Sequence, residues 1–176
     1  MKKLVMDLQT FAGRSAGEVI EAKYKAVFID ASFNGSTANY VRLGKDLEEY
    51  EKALNPDVEK KKNILGEQTV NLKGYEPEAS VDTFYAYEDD ALFLQLDEIA
   101  NTYTTGTAVD TTIVEVLLDT DGTVVNAYRE NVKVIPDAQK MADGKYQIPF
   151  KIYYNGSRVS GTWNNTTKEF TVPSGD

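Results

Sequence analysis

Asp119, Asp121 and Glu130 are the first residues whose types and spacing could do chemistry, because Asp-Thr-Asp-Gly at 119–122 begins like a calcium-binding loop. An EF-hand needs Gly at its sixth loop position, where this chain has Val124, so the segment reads as a hairpin turn. The sequence contains no His and no Cys. That removes imidazole general bases, the usual catalytic triads, thiolate nucleophiles and ordinary zinc sites. A carboxylate pair of the glycosidase kind remains conceivable. Neither GxGxxG nor GxxxxGK followed by Ser or Thr occurs, so nothing resembles a phosphate cradle. Tyr146 to Tyr154 with Trp163 could form a sugar-stacking platform, or could pack a core and subunit contacts. The sequons at Asn34, Asn155, Asn164 and Asn165 read as turn chemistry. The expectation is a protein that is not an enzyme, with no catalytic residue, no cofactor and no metal site.

Composition points the same way. The 176 residues fit one domain with one core. With 19 basic and 28 acidic residues the formal charge is -9, which disfavours tight nucleic-acid binding, since phosphate neutralisation needs clustered Lys and Arg. The absence of Cys means that folding needs no oxidising compartment. In MKKLVMDLQTF, Asp7 interrupts the apolar residues too early for a signal-peptide core, and no segment reaches roughly 18 uninterrupted apolar residues. These features predict a chain made in the cytoplasm, with no membrane span.

The elements that must position any site are mostly strands. Residues 1–23 read as an N-terminal arm, loosened by Gly13, Ser15 and Gly17, and residues 24–176 as a single β-sandwich domain. Tyr24 to Ile29 and Tyr40 to Leu43 read as strands, with a turn at Phe33 to Thr37. Lys45 to Pro56 places Leu47, Tyr50 and Leu54 at helical spacing, with Asp46 as a possible N-cap, and predicts a short amphipathic helix or an ordered loop. The charged VEKKKN segment reads as a solvated connection, making 34–62 a long interstrand loop. Strands follow at Ile64 to Leu72, with Gly66 as a bulge or close approach, and at Ser80 to Tyr87. Leu92, Phe93, Leu96, Ile99 and Ala100 then form one stripe of a helix at 89–101. Thr111 to Leu118, Val124 to Ile135 and a meander at 145–172 complete a mainly β (α+β) chain. The expected fold is an antiparallel β-sandwich or partly closed barrel with one flanking α-helix.

Two strands, ILGEQTVNL and SVDTFYAY, lead through Glu88, Asp89 and Asp90 into that helix, and this layout resembles the tail tube proteins of long-tailed bacteriophages or related phage-tail-like particles. Met6 to Ala12, MDLQTFA, is similar to the short opening of virion proteins from phages of Gram-positive bacteria. The resemblance implies hexameric rings of the chain itself, stacked into a hollow virion conduit. It also implies contact with other tail proteins such as tape-measure, distal tail and terminator proteins. Double-stranded DNA would pass through the lumen without specific binding, which suits an acidic wall. Strands apolar on both faces need partners beyond one small core. Leu8 and Phe11 in the arm, with Tyr50, Leu54, Ile64 and Leu65 in or beside the loop, are the expected oligomer-interface residues. The alternatives are a non-catalytic binding module, either an adhesin or a carbohydrate-binding domain, and another head-tail structural protein.

Overall fold

The computed structural model describes residues 17–173 except 34, 36, 48 and 157. After a 3-10 turn at Ala22–Tyr24 come β1 (Lys25–Asp30), β2 (Tyr40–Leu43), β3 (Glu51–Ala53), β4 (Pro56–Lys62), β5 (Gln68–Tyr75) and β6 (Glu78–Val81). Helix α1 (Ala91–Thr102) precedes β7 (Asp110–Leu118), β8 (Val124–Pro136), β9 (Lys140–Ala142) and β10 (Lys145–Gln147). The chain closes with β11 (Phe150–Tyr154), β12 (Val159–Asn164) and β13 (Glu169–Thr171). Nine strands form one antiparallel sheet in the order β2-β1-β7-β8-β11-β6-β3, curled into a half-barrel, with β12 and β13 branching from β8. The mainly β class, the curled sheet and the flanking helix are as the sequence predicts.

The 13 residues of β8 pair with β7 along one side and serve two neighbours on the other. Ala127 to Arg129 pair with β12, while Val132 to Pro136 pair with β11. One face of the sheet carries Val27, Ile29, Ile113, Val132, Val134 and Ile152 toward Leu92, Leu96 and Ile99 of α1. The other carries Phe28, Val114, Val116 and Ala127 against Trp163. The near-continuous apolar run of β7 is thus buried on both sides, as expected of a central strand. Trp163 packs 4.6 Å from the Phe28 ring and edge-on to Tyr40, so it offers no sugar platform. Asp90 caps α1 by accepting from the Leu92 and Phe93 amides. Tyr103 ends the helix in the left-handed region.

Several expectations need correction. Lys45 to Pro56 is not helical: Asp46 lies at φ 57 and accepts the Tyr87 hydroxyl, and Glu51–Ala53 pairs with β6. Sheet pairing outweighs helical spacing that is only three apolar residues long. VEKKKN is no mere connection but the body of β4, so the stretch 34–62 carries β2, β3 and β4. Gly66, at φ 85, turns the hairpin instead of bulging a strand, and the register shift falls at Asp57/Val58. The strand expected at Ser80 to Tyr87 stops at Val81, because Phe84 turns into the core and leaves only a bridge between Tyr85 and Gln147. The strand expected at Tyr146 to Tyr154 is two, β10 and β11. They break at Ile148 and Pro149, where the Ile148 amide donates to the Phe84 carbonyl.

Candidate interaction surface

Among the described residues Pro56 to Lys62 and Gln68 to Tyr75 pair only with each other, as a two-stranded hairpin outside the nine-stranded sheet. Its turn is built by Asn63, whose Oδ1 accepts from the Leu65 and Glu67 amides and whose Nδ2 donates to Glu67 at 2.6 Å. Asparagine supplies this local bonding and Gly66 the positive φ, so the sequence dictates a tight tip. The tip thrusts Ile64 and Leu65 into solvent, at 102% and 79% exposure.

The two faces of the hairpin differ. Cross-strand pairing places Val58 opposite Leu72 and Lys60 opposite Val70 on one face. The other face pairs Glu59 with Asn71 and Lys61 with Thr69, and Glu59 makes ion pairs to Lys61 and Lys73 at 3.4 and 3.7 Å. One face is therefore an exposed apolar stripe of Val58, Val70 and Leu72, with the Lys60 stem beside it. An isolated two-stranded hairpin is marginal in water, and an apolar face gains stability only when something covers it.

The root is tied to the sheet. Asn55 exchanges hydrogen bonds with Glu76, and Ala53 pairs with Glu78 across β3 and β6. Beside it, Lys52 reaches Glu115 at 2.8 Å and Glu130 at 3.7 Å and lies over the Tyr154 ring. Arg158 joins the same carboxylates at 2.8 and 3.3 Å. Burial pushes the Glu115 carboxyl up, but hydrogen bonds and charge from Arg158 and Lys52 outweigh it and hold the group at about 2. Burial raises Tyr50, bonded to the Tyr154 hydroxyl at 3.0 Å, to about 12 and raises Tyr154 further. A carboxyl held at about 2 cannot donate a proton near neutral pH, so Glu115 ties strands together and is no glycosidase acid. The calcium-loop carboxylates do not converge either. Asp119 and Asp121 accept from the Thr120 and Thr123 amides, while Glu130 belongs to the ionic cluster.

Of the expected interface residues, Ile64 and Leu65 meet at the hairpin tip and Leu54 is exposed at its root. Tyr50 instead packs against the chain's own core. Leu8 and Phe11 lie outside the described residues. Sequence reasoning missed Val58, Val70, Leu72 and Tyr75, all exposed on the hairpin. The signal was the alternation of Val70 and Leu72 in β5, while the charges of β4 masked Val58.

No family model matches this chain. No curated protein matches it either. Solved structures do resemble it. A chain from the sheath/tube terminator of an extracellular contractile injection system, in its extended state, superimposes with TM-score 0.55 at 7% identity, covering 84% of this chain and all of that one. The tube-terminating cap of the anti-feeding prophage gives 0.54 at 10% identity, covering 88% and 99%. A chain of the injection system's sheath-tube complex gives 0.51 at 9%, covering 82% and 93%. At these identities the likeness is one of fold, shared with subunits of contractile, tail-like particles.

Proposed function

We propose that this chain is a structural subunit of a phage tail or tail-like particle. More specifically, it is the subunit that assembles with itself into hexameric rings and stacks them into the hollow tube through which DNA passes during ejection. The β4–β5 hairpin carries the proposal: an ordered projection with a rooted base, an apolar face and two apolar residues at its tip suits contact with another subunit. The fold likeness to particle components supports it. So does the formal charge of -9, which keeps phosphate from sticking to a conduit wall. In this reading Ile64 and Leu65, with Leu54, Leu8 and Phe11, make subunit contacts. The other tail proteins are further partners. The particle is the chain's destination after synthesis in the host cytoplasm.

Two of the resembling structures above are a terminator and a terminating cap, which favours a second reading in which the chain closes a tube instead of forming it. Negative-stain electron microscopy with light scattering, over rising concentration and ionic strength, separates the two. Hollow tubes of repeating rings support the tube subunit. Discrete rings that never stack support the terminator. A chain that stays monomeric even when seeded with particle ends refutes both.

A further inference from the structure

On either side of the segment joining β2 to β3 lie two cavities of opposite character, both bordered by Leu47 and Glu49. The first is a cleft of about 800 Å³ with a floor of Val27, Leu43 and Tyr50 and five cations at its wall: Lys23, Lys25, Arg42, Lys45 and Lys52. Among the described residues Glu49 and Glu115 are the acids that line it, in a chain that otherwise has an excess of acids. The second, of about 540 Å³, is lined by Asp46, Glu49, Glu51, Glu78 and Asp82 along the β3 edge.

These charges are not all neutralised within the chain. Lys52 is bound by Glu115 and Glu130, and Lys23 by Glu21. Arg42 reaches only the Lys23 carbonyl, and Lys45 only the Tyr87 ring. Neither has a carboxylate partner among the described residues, and Glu49, Glu51, Glu78 and Asp82 have no cation partner among them. Among the described residues both strands involved are sheet edges: β2 pairs only with β1, and β3 only with β6. An open edge presents unpaired backbone donors and acceptors to another chain.

We infer that the basic cleft beside β2 receives the acidic surface of β3 and β6, Glu51 and Glu78 foremost, of a second copy of this chain. The inference rests on the self-assembly proposed above and assigns the surfaces that meet. Complementary charge sets register and the rate of encounter, while the apolar floor and open edges supply the buried contact. Because a basic surface meets an acidic one, the pairing is complementary, and the mass of the assembly separates a reciprocal two-fold dimer from a head-to-tail ring.

Charge inversion tests it. One variant carries Arg42→Glu and Lys45→Glu, the other Glu51→Lys and Glu78→Lys; all four residues are exposed, so circular dichroism should show native folds. Each variant alone should self-associate at least about tenfold more weakly than wild type by light scattering at low salt. An equimolar mixture should regain assembly, since each then meets its complement. If the inverted cleft misfolds, Arg42→Gln with Lys45→Gln replaces it and should weaken assembly and flatten its salt dependence. Wild-type assembly that neither charge change affects, or that mixing fails to restore, overturns this inference alone. A wild-type chain that never self-associates overturns the self-assembly reading beneath it.

Discussion

Replacing Lys52 with Met should destabilise the folded monomer by about 3 kcal/mol, the lower end of what breaking a buried ion pair costs. The Lys52 side chain is largely buried, and its removal leaves Glu115 and Glu130 facing each other with Arg158 between them and Lys25 at 3.7 Å. Arg158 still compensates part of the charge, which argues against the upper end. For a chain this long about 3 kcal/mol corresponds to a fall in melting temperature of roughly 6–12 °C. The assay is thermal unfolding by circular dichroism at pH 7. Adding Glu115→Gln should recover part of the loss, because the uncompensated carboxylate disappears. The same residue fixes the acid limb. The Glu115 carboxyl is depressed from 4.5 unfolded to about 2 folded, so its contribution is present above pH 4.5 and is lost as pH falls toward 2. That depression is worth about 3 kcal/mol. Without Lys52 the depression shrinks, and less stability should vanish over that window. An unchanged melting temperature and an unchanged acid limb together would refute the view that this cluster holds β3, and with it the hairpin root, to the sheet.

Three further outcomes are expected. Val70→Ser with Leu72→Ser, on the exposed hairpin face, should change monomer stability by no more than about 0.5 kcal/mol per site while impairing assembly in sedimentation, because these residues contribute little within the chain. Trp163→Ala should cost about 3–5 kcal/mol in urea unfolding, because the indole fills the face between Phe28 and Tyr40. Asp90→Ala should cost about 1 kcal/mol, detectable as a lower urea midpoint with unchanged slope, through the two amides left uncapped at the start of α1.

The sequence by itself determined the parts whose forces are local or periodic. The α1 stripe, the buried run of β7 and the strand Tyr40–Leu43 all lie where the hydrophobic period places them, while Asp90 caps a helix that begins at Ala91 and not at Asp89. Ile64, Leu65 and Leu54, expected at an oligomer interface, lie exposed at the tip and root of the hairpin. The tertiary structure alone decided the rest. It turned 51–53 into a strand through pairing with β6, and it sent Tyr50 inward to the Tyr154 hydroxyl. It also gathered Lys52, Glu115, Glu130 and Arg158, which are far apart in the chain. The sidedness of the hairpin had the same origin, since Val58, Val70 and Leu72 share a face only once β4 and β5 are paired in one register. Strand pairing and ion pairing join residues distant in sequence, and their energy depends on an approach that no local pattern records.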